Sequence, residues 1–308
     1  MSDIKKNILA TLAYFDVFNY PLTQSEIFLF LSQRYDLAVF SNALLLLMAE
    51  RAVYKFDNFY TLKNDLGIAK RRSAGNKKAA ELIQVAKRVG SFLIRFPYVR
   101  GIGISGSLSK NFADEQSDID LFIITAGNRL WVARTILHFF KKMTFLVNKQ
   151  HLFCMNYFID EQALEIVEKN IYTAIEVATL IPIEGDTAFE KFYSANTWTR
   201  QYLPNNCMRV ASAKPVKSNF LKTLVETLLD SRLGSYLDKQ LMRITAGRWL
   251  KKSRQRKLNS RGVIMGMDAS EHCAKPDPTN FQNKLIDRYQ NKVGALLQQY
   301  ETNFAHSS

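Results

Sequence analysis

Cysteine is scarce in this chain, which has only three among 308 residues: Cys154, Cys207 and Cys273. Their number is odd and they are scattered, so they fit neither a disulfide framework nor the paired spacing of a zinc site. Free thiols of this kind are typical of proteins in a reducing compartment. The sequence therefore argues against a disulfide-stabilised secreted domain and favours the cytoplasm.

Long apolar runs are also missing. The longest, such as residues 43–49, are far shorter than the roughly 20 apolar residues that a helix needs to cross a bilayer. The opening residues, MSDIKKNILATLAYF, lack the continuous apolar segment of a secretion signal. We therefore expect a cytoplasmic protein with no transmembrane segment.

Apolar residues and positive charge are abundant. Hydrophobic residues make up 47% of the chain and charged residues 23%, a balance typical of folded domains and unlike that of disordered chains. The net charge is +14. The stretch from Arg209 to Arg261 contains fourteen basic residues and only three acidic ones, which gives it a net charge of +11. Such a stretch attracts polyanions: nucleic acid, nucleotide phosphates or an anionic membrane surface. It is equally compatible with an acidic partner protein or a solvated helix face, and the run Lys251–Lys257 is its densest part.

The first 66 residues predict a small helical unit that ends in a hairpin. Residues 4–14 have helical apolar spacing. Thr23 and Glu26 have the spacing of a capping box, which predicts a second helix through Leu31. We expect Ser41 to cap a third helix, which runs from residue 42 to about residue 51.

Residues 57–58, Asp-Asn, separate two short aromatic-rich runs and predict a two-residue hairpin turn. Three helices followed by a hairpin resemble a winged helix-turn-helix unit. The third helix, LLLLMAE, offers few side chains that hydrogen-bond to base edges. A structural or dimerising role is therefore favoured over DNA reading, although both interpretations stay open.

Helices and strands alternate from residue 67 to residue 168. Residues 70–78 are basic and form either a linker or the first turns of a long helix, and residues 79–96 are amphipathic and helical until Pro97. Further along, apolar runs predict strands at 99–104 and 152–159, with a helix at 128–147 between them. This order predicts an α/β or α+β domain, followed by a mainly helical, basic region over residues 169–308.

Two aspartates, Asp118 and Asp120, lie at the start of an apolar run that ends at Thr125. On a strand, residues two apart point to the same side. Two adjacent carboxylates repel each other and resist burial, unless a cation lies between them. Mg²⁺ is commonly held by one or two carboxylates together with substrate phosphates. The pair therefore predicts a site for Mg²⁺ or Mn²⁺.

A turn, Gly106-Ser107, precedes the aspartates by ten residues. Glycine lets the backbone approach a ligand closely, and Ser107 and Ser109 supply hydroxyl and N–H groups. Lys110 either neutralises the charge of a bound triphosphate or is an ordinary surface lysine, and the sequence favours neither. A phosphate-binding turn beside paired carboxylates predicts a pocket for a nucleoside triphosphate.

The pattern Gly106-Ser107, ten residues, then Asp118-Ile119-Asp120-Leu121 resembles the signature of the DNA polymerase β-like nucleotidyltransferase superfamily, especially its minimal and aminoglycoside-type members. The resemblance implies a mixed sheet flanked by helices. It also implies phosphate contacts at Gly106 and Ser107, metal ligands at Asp118 and Asp120, and a catalytic role for both aspartates. The N- and C-terminal parts of the chain lie outside it.

The third carboxylate of that family, on a later strand, has no counterpart here. The matching strand, 152–159, contains Asn156 and no acid, and Asp160 follows at its end with the same parity. Asp114 and Glu115, in the loop before the two aspartates, are other candidates for the missing carboxylate. Asparagine coordinates a cation through its carbonyl but accepts no proton. We therefore expect either a Mg²⁺-dependent enzyme that moves a nucleoside monophosphate from an NTP to an acceptor hydroxyl, or a catalytically degenerate regulator that binds nucleotides or nucleic acid.

Overall fold

The computed structural model describes residues 2–144, 154–206, 213–216, 219–255, 267–276 and 281–305. Its N-terminal unit consists of α1 (Asp3–Asp16), β1 (Leu22–Thr23), α2 (Gln24–Phe30), α3 (Leu37–Ala49), β2 (Tyr54–Phe56) and β3 (Phe59–Thr61). The three strands form an antiparallel sheet in the order β1-β3-β2. The predicted capping box of Thr23 and Glu26 and the hairpin turn at residues 57–58 are both confirmed. The resemblance to a winged helix-turn-helix stays a prediction.

The start of α3 differs from the prediction. The helix begins at Leu37, and the side chain of Asp36 caps it by accepting a hydrogen bond from the Ala38 N–H at 2.8 Å. Ser41 lies inside the helix. Asp36 is an equally good capping residue one turn earlier, and the exposed apolar side chains of Leu37 and Val39 hide the helical pattern at this end.

The basic run at 70–78 forms part of a single helix, α4 (Leu66–Leu93), which continues through the predicted amphipathic segment. Arg72, on this helix, is 2% exposed. Its guanidinium donates hydrogen bonds to Glu26 Oε1 at 2.8 Å and to the Pro21 carbonyl at 3.1 Å, and it lies 3.7 Å from the centre of the Tyr20 ring. Arg72 thereby joins the N-terminal unit to α4.

Arg72→Met is expected to lower the free energy of unfolding by about 3 kcal/mol, because it leaves the Pro21 carbonyl and Glu26 without their buried cationic partner. Urea denaturation measures the loss. Arg88→Met is the matched control, since Arg88 is an exposed residue of the same helix. Equal midpoints for the two variants would contradict the role given to Arg72.

Among the described residues, the central sheet contains six strands in the order β7-β4-β5-β6-β9-β8. Strands β5 and β6 are parallel and the other neighbours are antiparallel, so the predicted mixed sheet is confirmed. The elements, in chain order, are β4 (Val99–Ile104), α5 (Gly106–Ser109), β5 (Asp120–Thr125), α6 (Leu130–Thr144), β6 (Cys154–Asp160), α7 (Ile171–Thr179), β7 (Ile181–Glu184), α8 (Asp186–Ala195), α9 (Phe220–Leu229), α10 (Arg232–Arg254), β8 (Met267–Ala269), β9 (Cys273–Pro276) and α11 (Phe281–Ala305). The domain boundary expected at residue 168 falls between β6 and β7, the third and fourth strands of this sheet in chain order.

The alternation of side chains along β5 separates two hydrophobic cores. Leu121 and Ile123 pack with residues of α4 and α6 on one face of the sheet. Phe122 and Ile124 belong to the core on the other face, which α7, α8 and the N-terminal unit share. The N-terminal unit therefore packs on the face to which alternation assigns Asp120, two residues before Phe122.

The C-terminal region is mainly helical, as expected, and α11 packs against α1. Tyr289 contacts Tyr14 with ring centroids 5.5 Å apart, and Lys292 forms an ion pair with Asp16. No described helix is long and apolar enough to cross a membrane.

One lysine of the basic stretch, Lys222, is buried. Its ammonium donates hydrogen bonds to the Ile94 and Val99 carbonyls at 2.9 and 2.6 Å, and burial lowers its pKa to about 8. Lys251, Lys252 and Arg254 are exposed at the end of α10, whereas Arg256 and Lys257 lie outside the described residues. The nucleic acid or acidic protein partner expected for this stretch stays a prediction.

Candidate functional site

The turn that follows β4 packs directly on a carboxylate. Gly106 has φ +68°, a left-handed conformation that strains other residues. A Cβ at this position would lie 2.6 Å from Asp120 Oδ2. The Ser105 N–H donates to the Asp120 carbonyl at 2.9 Å and fixes the turn to the start of β5. Glycine at position 106 is therefore required both by the backbone and by the closeness of Asp120.

The two aspartates frame a buried residue. Strand β5 begins at Asp120, so Asp118 lies in the segment just before it and not within the strand. Ile119 is 1% exposed and packs in the same core as Leu121, while Asp118 and Asp120 are half-buried on either side of it. Burial and the negative charge of Asp120, together with that of Asp118, raise the pKa of the nearby Cys154 thiol to about 11. The strand register pairs Asp120 with Cys154 at the start of β6.

Asn156, which the sequence suggested in place of the third carboxylate, contacts Asp120. Its Nδ2 donates to Asp120 Oδ1 at 2.5 Å, and its Oδ1 accepts from Cys154 Sγ at 3.2 Å. The register between β5 and β6 shifts here: Leu121 pairs with Met155 and Phe122 with Tyr157, so Asn156 has no partner on β5. A bulge of this kind redirects a side chain, and it accounts for the approach of Asn156 to Asp120.

Asp160 does not join this group. It pairs with Thr125 at the opposite end of β5 and is fully buried. Its carboxylate accepts hydrogen bonds from the Asn128 and Gln162 N–H groups at 2.8 and 3.0 Å and lies 2.9 Å from His272 Nδ1. Although Asp160 and Asn156 are an even number of residues apart, Asp160 lies too far along the strand to reach Asp120. Its hydrogen bonds instead hold the loops at that end of the sheet.

The polar residues around the turn divide into two groups. Ser109 is 2% exposed, and its hydroxyl donates to the Gly106 carbonyl at 2.8 Å, so it holds the turn from the interior. Ser107 is exposed. Lys110 Nζ donates to the Gly106 carbonyl at 3.1 Å and to Glu176 Oε1 at 2.7 Å. Ser107 and Lys110 are therefore the members of the predicted set that a phosphate at the turn would meet.

Two cavities meet at this turn. The first, of about 400 Å³, has Asp120 and Asn156 in its wall, with Glu168 and Lys275 also lining it. The second, of about 300 Å³, lies between the turn and the N-terminal unit, and Ser107 and Lys110 are in its wall. Both cavities are lined by Gly106, Tyr172, Glu176 and Phe281.

The cavity walls include acids that the sequence did not single out. Burial, and the charges of Glu176 and Asp120, raise the pKa of Tyr172, and all three residues line the first cavity. Burial alone would raise the pKa of Glu168, but the hydrogen bond and charge of Lys275 lower it overall. Tyr172 and Glu176 are four residues apart on α7 and share one face of that helix, and this spacing is the signal by which they could have been found.

The residues present fit a divalent cation that is shared with a polyphosphate. No group of three or more His, Cys, Asp or Glu side chains among the described residues would hold a metal alone. Asp118 and Asp120 offer carboxylate oxygens, and a half-turn of the Asn156 amide exchanges its nitrogen for its oxygen beside Asp120. Mg²⁺ in phosphate-transfer sites typically takes only one or two carboxylates and completes its shell with phosphates and water.

Comparison with protein families gives a match over residues 82–183, to the family described as nucleotidyltransferase domain. This range begins inside α4 and ends inside β7, and it contains Gly106, Ser107, Asp118, Asp120 and Asn156. Comparisons with curated proteins and with solved structures gave no match.

Proposed function

Because residues 82–183 form a nucleotidyltransferase domain of the DNA polymerase β-like superfamily, we propose that this protein transfers a nucleoside monophosphate from an NTP to a hydroxyl group of an acceptor. The observation that carries the proposal is the contact of Gly106 with Asp120. A turn in a conformation that favours glycine places its backbone against a half-buried carboxylate, in the wall of a cavity large enough for a small ligand.

In the proposed reaction, the acceptor oxygen attacks the α-phosphorus of the NTP. The bond from this phosphorus to the bridging oxygen of the β-phosphate breaks, pyrophosphate leaves, and the hydroxyl proton passes to water. Bound Mg²⁺ would neutralise the triphosphate and the charge that develops on the leaving group. Asp118 and Asp120 would hold this ion, and Asn156 would orient Asp120 through the hydrogen bond to Oδ1.

The turn supplies the phosphate contacts of this proposal. Gly106 lets the triphosphate approach the backbone, and Ser107 offers its hydroxyl. Lys110 Nζ already lies beside the turn and bonds to Glu176, and it would exchange this carboxylate for a phosphate oxygen when the triphosphate binds. Asn156 accepts no proton, and the lack of a positioned base costs about 10²–10⁴ in rate. We therefore expect slow transfer.

The test uses the full chain with each of the four NTPs. Titration with and without MgCl₂ measures binding, and a coupled assay measures pyrophosphate release. We expect Mg²⁺-dependent binding of at least one NTP and slow pyrophosphate release that increases when the right acceptor is added. Failure of every NTP to bind in the presence of Mg²⁺ would contradict the proposal.

A second candidate function is that of a regulator that binds nucleotide without turnover. The observation that favours it is the amide of Asn156 in the place of a third carboxylate, bonded to Asp120. Mg²⁺-dependent NTP binding without pyrophosphate release, with any acceptor, would select this function over transfer.

Asn156→Asp tests the cation site independently of turnover. The new carboxylate would stand 2.5 Å from Asp120 Oδ1 if nothing moved, so like-charge repulsion is expected to lower Tm in EDTA by several degrees. Added Mg²⁺ is expected to restore Tm, because a cation between the carboxylates removes the repulsion. Thermal unfolding in EDTA and in about 10 mM MgCl₂ measures both effects.

Asn156→Leu is the matched control for this variant. It removes the same hydrogen bond without adding charge, so its Tm is expected to respond to Mg²⁺ no more than that of the wild type. If Asn156→Asp were equally unresponsive, Asp120 and residue 156 would not share a cation.

A further inference from the structure

The second cavity, between the Gly106 turn and the N-terminal unit, has mainly aromatic walls. Seven of its twelve lining residues are Phe or Tyr, and they come from α1 and the residues just after it, the segment after α5, α7 and α11. Two of these rings are accessible, since Phe18 is 42% exposed and Phe281 is 43% exposed. We call this space the aromatic cavity.

The polar groups of the aromatic cavity suit a flat, hydrogen-bonding ring. Arg71 lies over the Phe112 ring with its guanidinium carbon 4.8 Å from the ring centre, and it supplies donors. Glu176 supplies a carboxylate acceptor. Aromatic faces bind planar rings by stacking, and a nucleobase combines such a face with donors and acceptors at its edge. The cavity volume of about 300 Å³ is in the range of small-ligand sites.

The position of the aromatic cavity decides which part of the reactants enters it. The attacking oxygen must reach the α-phosphorus beside Asp120, and Asp120 lines the first cavity and not the aromatic one. The aromatic cavity therefore receives a part of the reactants that does not react. Ser107 and Lys110, the proposed phosphate contacts, are in its wall, which favours the donor nucleotide over the acceptor as its ligand.

We propose that the aromatic cavity binds the nucleobase of the donor NTP, while the first cavity receives the acceptor. The proposal rests on the proposed function. Gly106 borders both cavities and touches Asp120, so a single nucleotide spans from the reacting phosphate to the aromatic walls. The N-terminal unit, which lies outside the matched family range, thereby forms part of the nucleotide site.

The test compares Mg²⁺ complexes of the four NTPs with that of inorganic tripolyphosphate, which has the phosphates but no base. Phe18→Ala and Phe281→Ala each remove one accessible ring from the cavity. Each is expected to weaken binding of the preferred NTP about 5- to 150-fold, the range for loss of one base-stacking contact. Binding of tripolyphosphate is expected to stay within about twofold, because the phosphate contacts are intact. Isothermal titration of the full chain measures both.

Phe139→Ala is the matched control, since Phe139 is 66% exposed on α6 and lines neither cavity. It is expected to bind both ligands like the wild type. Unchanged NTP binding in the Phe18 and Phe281 variants would overturn the base site and leave the proposed function standing. Equal weakening of NTP binding and tripolyphosphate binding would do the same. Failure of the wild type to bind any NTP would overturn the proposed function and the base site with it.

Discussion

Replacing Asp120 by asparagine is expected to reduce nucleotidyl transfer by about 1,000-fold or more, because in the proposed function its charge would hold a metal that is worth several kcal/mol in the transition state. Asparagine keeps the size of the side chain, so the contact with Gly106 and the strand β5 are retained. Asp118→Asn is expected to act in the same direction. Pyrophosphate release under saturating NTP and Mg²⁺ measures the loss.

Glu81→Gln controls for a general effect of charge removal, because Glu81 is an exposed acid on α4 that lines neither cavity. Its activity is expected to equal that of the wild type. NTP binding without divalent cation should be similar in all the variants, whereas the gain in affinity on adding Mg²⁺ should disappear in Asp120→Asn. An Asp120→Asn variant with more than about a tenth of wild-type activity would show that the carboxylate is not the metal ligand.

Gly106→Ala is expected to lower activity by about 100-fold, although it adds only a single methyl group. The left-handed conformation costs a residue with a Cβ about 1–2 kcal/mol. More importantly, the added carbon would lie 2.6 Å from Asp120 Oδ2, so either the turn or the carboxylate must move. A displacement of about 1 Å at a reacting centre is enough to cost a factor of this size.

Gly247→Ala is the matched control, since an added Cβ at this position on α10 meets no described atom within 4 Å beyond the backbone of its own helix. Because alanine favours the helix over glycine, this variant is expected to be as stable as the wild type or slightly more stable. Steady-state kinetics and thermal unfolding, measured on both variants, separate the local effect at the turn from loss of folding. Full activity in Gly106→Ala would mean that the close contact is not needed for transfer.

Features that depend on a few neighbouring residues could be predicted from the sequence. The capping box of Thr23 and Glu26 and the turn at residues 57–58 are set by local hydrogen bonds. The approach of Gly106 to Asp120 is also short in range, because only one loop separates the two positions. The spacing of the Gly-Ser pair from the two aspartates indicated the family match that includes them.

Features that depend on packing between distant segments could not be predicted. Strands β7, β8 and β9 have three or four residues each, too few for a periodic pattern to show. The partnership of Lys110 with Glu176 joins residues 66 positions apart. The hydrogen bond from the Tyr20 hydroxyl to the Lys110 carbonyl crosses from the N-terminal unit to the turn. Nothing in the local sequence of either segment signals the other.

The order of strands in the central sheet has a consequence for folding while the chain is being synthesised on the ribosome. Strand β6 ends at Asp160, but its neighbour β9 begins at Cys273, so more than a hundred residues must be synthesised before the two can pair. Until then, β6 presents an open edge, which is the kind of surface that captures strands from other chains. We infer that a nascent or truncated chain ending after β7 would need a chaperone, or a fusion partner, to escape aggregation.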